Sequence, residues 1–204
     1  MRSGVRRLEA LAGAARHERV ALAASLDASR DLVTAAASAM AERFELGGRL
    51  FAFGVGPCAP DAAHVTVEFV HPVIAGKRSV PAMDCSDALG AWPAETAIRR
   101  RLGALARSGD VALGLASSAR EPALLAVLDA ARAYGLLTVV LSGGGGGGLA
   151  QGSLVDHLLV APSAERLLIK EQQVTTYHLL WELVQVFIEG RDRSAAVPEQ
   201  LVGS

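Results

Sequence analysis

Between Val20 and Phe44, apolar residues recur at helical spacing through Leu22, Leu26, Leu32, Val33, Ala36, Met40 and Phe44, and the Gly47 and Gly48 pair closes the segment. The pattern predicts one long helix, with residues 1–17 either extending it or forming a short helix before it. Then come the apolar runs RLFAFG, SVPAM, VALGLA, LTVVLS and DHLLVA, each of strand length and each followed by turn residues or a helical pattern. Helices are expected near residues 60–71, 92–107 and 121–134, with a short one near 147–152 and a final one over about 165–189. Strands that alternate with helices imply right-handed crossovers and a parallel sheet covered on both faces, an α/β fold of three layers.

In such a sheet, ligands gather beyond the carboxyl ends of the strands, where the winding reverses. GVGPCAPD after the first strand and ASSAREP after the third lie in that region. GGGGGG, residues 143–148, follows the fourth strand and is expected to be a flexible turn without chemistry of its own.

Composition narrows the classes. The chain has 204 residues, 51% of them hydrophobic, and a formal charge of −1, enough for one well-filled domain. Its arginines are scattered, so no nucleic-acid partner is expected, since phosphate backbones need clustered cations. The opening stretch turns polar at RHERV, unlike the apolar core of a signal peptide, and no run reaches membrane-spanning length. A cytoplasmic protein with no membrane partner is the expectation. Cys58 and Cys85 are too few for a disulfide framework, so reduced, partly buried thiols are expected.

The residues after the first strand carry a motif. Gly54, Gly56, Cys58, Asp61, His64 and Glu68 stand in the frame G-N-G-G-S-A-x-D-A-x-H-x-x-x-E. RSVPAMDCSD, ending in Asp87, is similar to R-x-x-P-A-I-x-x-S-D, and GDVALGLASSAREP to G-D-V-L-L-G-I-S-T-S-G-N-S-P. AARAYGLLTVVLSG and LIKEQQVTTYHLLWELV match two further stretches, in order and without large gaps. The chain thus resembles the sugar isomerase (SIS) domain, specifically the phosphoheptose isomerase branch, over about residues 30–189. The resemblance implies a doubly wound, flavodoxin-like SIS fold with a five-stranded parallel sheet and a long N-terminal helix. It places one SIS domain over residues 20–190, a helical extension over 1–19 and a flexible tail over 191–204.

It also implies a function: interconversion of sedoheptulose 7-phosphate and a heptose phosphate. Glu68 and His178 fall on the positions that move protons in that branch. An aldose–ketose isomerisation needs a base for the carbon beside the carbonyl and an acid for the oxygens, and a carboxylate and an imidazole suit those tasks. By the same resemblance Gly54, Gly56, Cys58, Asp61, Asp87, Ser117, Ser118, Arg120 and Lys170 are substrate-binding candidates. Spacing adds that His64 and Glu68, four residues apart, share a helix face. Glu171, Thr175, His178 and Glu182 form a second polar stripe expected to face the same pocket.

Several positions depart from the family pattern. Some members bind a metal through the first helix and a Gln and His of the last, but the Gln position here is Lys170, whose ammonium has no lone pair to give. Gln172 and Gln173 do not replace it, because a shift of two residues turns a side chain about 200° around a helix. His64, Glu68 and His178 could still hold zinc with an open position, while no cofactor is certain. Ala116, Ser117, Ser118, Ala119, Arg120 and Glu121 stand where the family has a hydroxyl-rich phosphate cradle. Glu121 would repel a phosphate, and Arg120 could offset it or simply pair with it. Pro57 lacks an amide hydrogen, and the Cys58 thiol is a weak donor that is either a plain contact or a reactive group at a helix start.

Two functions follow: a phosphosugar aldose–ketose isomerase, or a non-catalytic sugar-phosphate-binding SIS protein with a regulatory or assembly role. Both predict a phosphorylated-sugar ligand. The Ala-rich segment 20–44 and the last helix, with Trp181 and Phe187, offer surplus apolar surface, and the family generally forms tetramers. A homo-oligomer, tetramer or dimer, is expected.

Overall fold

A computed structural model of the chain describes residues 2–86 and 92–195. Five parallel strands, β1 (Leu50–Gly54), β2 (Ala82–Asp84), β3 (Val111–Ala116), β4 (Leu137–Gly143) and β5 (His157–Ala161), form one sheet in the order β2-β1-β3-β4-β5. The helices are α1 (Arg2–Ala28), α2 (Arg30–Glu45), α3 (Ala59–Val70), α4 (Ala94–Leu105), α5 (Pro122–Ala133) and α6 (Arg166–Ala195), with short 3-10 turns at Gly56–Cys58 and Gly147–Gln151. The three-layer α/β/α architecture read from the alternation is the one observed.

Strand alternation builds the two cores. Leu50, Ala52, Leu113, Leu115 and Val139 pack with Met40 and Phe44 of α2, Val65 and Phe69 of α3 and Leu180 and Val184 of α6. Phe51, Phe53, Ala112 and Val140 face the other way, towards Ile98 and Leu102 of α4 and Leu124 and Leu128 of α5. Winding therefore reverses between β1 and β3, which are neighbours in the sheet.

Several expectations need correction. The long N-terminal helix is two helices, because the backbone leaves helical geometry at Ser29, whose hydroxyl donates to the Ser25 carbonyl at 3.0 Å. Helix α1 runs unbroken through residue 19, so of the two courses expected for the opening segment it is the extension of the next helix that is seen. β2 begins after Pro81 rather than at Ser79: the proline has no N–H for the ladder and only accepts, from Leu50 N at 2.9 Å. α6 continues to Ala195, five residues into the expected tail, and 196–204 lie outside the described residues. Trp181, counted among the surplus apolar groups, is buried within the chain's own core. Among the described residues, no helix is long and apolar enough to cross a membrane.

Candidate active site

β1 feeds the site through a tight turn. A Cβ on Gly54 would run into the Cys58 carbonyl, and Gly56 has φ +57°, a left-handed conformation that glycine adopts without strain. The turn delivers Cys58 to the start of α3, where its thiol lies 3.7 Å from Ser117 Oγ and points at Gln173 Oε1 at 3.7 Å. Burial pushes the Cys58 thiol above its ordinary value, with Ser117 opposing, so a reactive thiol is not what the turn creates. Cys85 is pushed up to about 12 by burial, and both cysteines are free, as expected of reduced thiols.

Asp61, His64 and Glu68 line one face of α3, and α6 meets that face with Lys170, Tyr177 and His178. Lys170 Nζ donates to Asp61 Oδ2 at 2.6 Å, so the cation that replaces the family's Gln is committed to a buried carboxylate. His64 Nε2 lies 3.1 Å and His178 Nε2 3.9 Å from Glu68 Oε1. The Glu68 side chain is 11% exposed, whereas His64 and His178 are 46% and 39% exposed, which leaves the carboxylate at the base of an open cluster.

The three ligand atoms of His64, Glu68 and His178 all lie within 4.8 Å of one another. Two imidazole nitrogens and a carboxylate oxygen are a donor set that zinc accepts in three-ligand catalytic sites. The residues thus fit a zinc ion with an open position. Gln172 and Gln173 do not join them. Gln172 bonds to Ser25 of α1, and Gln173 Nε2 donates to the Ala116 and Leu141 carbonyls at 2.8 and 3.0 Å, at the ends of β3 and β4.

The remaining candidates divide between two recesses. Cys58, Ser117 and Lys170 line a crevice of about 130 Å³ together with Pro57, Arg166 and Gln173. Ser118 and Arg120 line a different, larger opening with Gly143, Gly144, Gly145, Gly147 and Gly148. Asp87 lies outside the described residues. The glycine run is less idle than expected: Gly143 ends β4, and a Cβ there would strike the Ser117 carbonyl and the Ile169 side chain. The second polar stripe also splits, since Glu171 pairs with Arg19 of α1 at 2.6 Å and lines a recess there with Thr175.

Arg166 also lies at the site, and Tyr177 is the residue there that the sequence reading missed. Arg166 brings a second cation to the crevice at the first turn of α6. Tyr177 is buried against both histidines, its hydroxyl 2.9 Å from His64 Nδ1. Burial first, then the charges of Asp61 and Glu68, push that phenol up to about 12. Its position directly before His178 on a helix facing α3 was the available signal.

A doubly wound sheet that carries a carboxylate and two imidazoles within reach of one another is of the class that can do acid–base chemistry on a bound ligand. No family model matches the chain. It is 34% identical over 156 residues to the phosphoheptose isomerase of Pelobacter propionicus, covering 73% of this chain and 82% of that protein. It is 33% identical over 165 residues to the phosphoheptose isomerase of Solidesulfovibrio magneticus, covering 78% and 79%. The solved structure of phosphoheptose isomerase GmhA from Neisseria gonorrhoeae superposes with a TM-score of 0.77 at 20% identity, covering 88% of this chain and 99% of that one. The chain belongs to the phosphoheptose isomerase branch of the SIS family.

Proposed function

We propose that the protein is an aldose–ketose isomerase of phosphorylated sugars, with sedoheptulose 7-phosphate as its substrate. The carrying observation is the approach of Glu68 and His178, from different helices, to 3.9 Å. In this reading the two imidazoles address Oε1 of Glu68 and Oε2 takes the proton from the carbon beside the carbonyl, while His178 exchanges protons with the oxygens. His178 and Glu68 can also exchange roles. When bound by His64, Glu68 and His178, zinc would supply Lewis-acid polarisation of the substrate oxygen.

The crevice of Ser117, Arg166 and Lys170 supports binding of the phosphate end. Guanidinium and ammonium groups suit a phosphate dianion, and they take over from hydroxyls that are missing after β3. Ser118 and Arg120, on the other recess, fit this task less well. Exposed apolar residues on helices, among them Val20, Leu32, Leu167 and Val186, support a homo-oligomer, dimer or tetramer. Light scattering that returns the mass of one chain at all concentrations would remove that part.

Turnover of sedoheptulose 7-phosphate by purified protein, with and without added zinc, tests the proposal. Formation of the aldose product sustains it, and no product under either condition defeats it.

The Lys170–Asp61 pair favours a second reading, a sugar-phosphate-binding protein without catalysis, because an ammonium occupies the place of a metal ligand. That reading predicts a higher melting temperature with sugar phosphate and no isomerisation.

A further inference from the structure

At the end of the sheet opposite the candidate active site, the turns that lead into β1 and β3 enclose a recess of about 330 Å³, lined by Arg43, Arg49, Arg107, Ser108 and Asp110 together with glycines of both turns. The two turns are pressed together at Gly48, where a Cβ would strike the backbone carbonyls of Gly109 and Arg43. Strands β1 and β3, five and six residues long, put about 17–20 Å between this recess and the turns that carry Cys58 and Ser117.

Three guanidiniums and one carboxylate give the recess a formal charge of +2, in a chain whose total is −1. That carboxylate is already committed. The Asp110 side chain, 4% exposed, accepts from Arg49 N at 2.8 Å, from Arg49 Nη2 at 2.7 Å and from Arg107 N at 2.8 Å. Arg49 Nη2 also donates to the Leu105 carbonyl at the end of α4, at 2.7 Å. One arginine thus answers both the buried acid and that helix end. Arg43 stands in the last turn of α2, where the helix dipole favours a cation. The carbonyls of Glu42, Arg43 and Phe44 are nevertheless met by the amides of Leu46, Gly48 and Gly47, and Glu45 of the same turn is taken by Arg191 at 2.8 Å. Among the described residues, the guanidiniums of half-buried Arg43 and exposed Arg107 have no hydrogen-bond or ion-pair partner.

Two uncommitted guanidiniums lining one recess suit a phosphate dianion, because each presents its N–H donors as a planar fork. We propose that this recess is a second anion site, separate from the acid–base cluster and its crevice, that binds a small compound through a phosphate or diphosphate group. Arg43 and Arg107 hold the anion, and Arg49, fixed in place by Asp110, adds its charge beside them. The volume is that of a small-molecule pocket, and the positive charge is confined to one recess rather than spread along a stripe as nucleic acid requires. The site does not depend on the isomerase reading.

Calorimetric titration of the full chain with inorganic pyrophosphate tests it, at about 0.1 M salt, where charges more than about 10 Å apart are largely screened. The wild type is expected to saturate below about 1 mM. Arg43→Gln/Arg107→Gln should weaken binding at least about tenfold, the scale of a lost hydrogen bond to a charged group. Arg166→Gln, which removes a charge from the crevice at the other end, should leave it within about twofold. Urea unfolding shows that the double variant is folded; should it not be, Arg107→Gln alone, at an exposed position, is read in the same way. ADP and glucose 6-phosphate, titrated in parallel, distinguish a nucleotide from a sugar-phosphate source, the source being whichever loses affinity in the double variant. No saturation in the wild type overturns the proposal. So does equal pyrophosphate affinity in the double variant, or an Arg166→Gln loss as large as that of the double variant.

Discussion

Two ends of the candidate site are built differently. The acid–base end stands on two packed helices, where Glu68, His64, His178 and Tyr177 are joined by short contacts between α3 and α6. The proposed anion end is assembled from turns after β1 and β3 and from the first turns of α6, and there Pro57, Cys58 and Lys170 all depart from the family pattern. Glu68 and Tyr177 lie on packed helix faces and hold the more exposed His64 and His178 between them, so the geometry survives only as a set. Turn residues meet solvent and can be exchanged one at a time, provided that the backbone still closes. On the proposed reading, the protein would keep the machinery for moving protons and change the grip on charge.

Breaking the acid–base end should have the largest effect. Glu68→Gln keeps shape and removes the base, and is expected to lower kcat by about 10²- to 10⁴-fold. Steady-state assay with sedoheptulose 7-phosphate measures it, and activity equal to wild type would discard the mechanism.

Next comes the joint between the two ends. Gln173→Ala strands the buried Ala116 and Leu141 carbonyls, with an expected loss of about 1–3 kcal/mol in urea unfolding. Lys170→Met probes the anion end alone. It should raise KM about tenfold with kcat nearly kept, while the nearly buried Asp61 carboxylate loses its ammonium partner, at a cost of about 1–3 kcal/mol in stability.

The smallest effect is the slow chemistry of the thiols. Burial raises Cys58 and takes Cys85 from 9.0 to about 12, so at pH 8 both should react slowly with a thiol reagent until the protein is unfolded. The sign for stability follows: the folded state holds the Cys85 proton more tightly, so its contribution is fully present below pH 9.0 and lost as pH rises towards about 12. A chemical unfolding series across that range checks it.

The sheet and most helices were legible because their periods are set by burial on one face or two. β3 matches its predicted residues, while β2 slipped because Pro81 delays the start of a strand that hydropathy alone would begin at Ser79. The break at Ser29 depends on one hydroxyl bonding back to its own helix, which spacing does not encode. In the site, His64 and Glu68 could be placed on one face from their spacing, and motif resemblance joined them to His178. Glu171 was lost to Arg19 because helical phase does not say which neighbour a stripe will meet. Ser117 and Ser118 are adjacent in sequence yet line different recesses, an outcome of the loop's path that residue identity does not fix.

Gln173 has a mechanical consequence. One amide staples the tips of two adjacent strands and receives the thiol from the turn that follows a third. The floor of the crevice is thereby tied into a single plate, and on the proposed function any adjustment to ligands of different length would have to come from the walls above it.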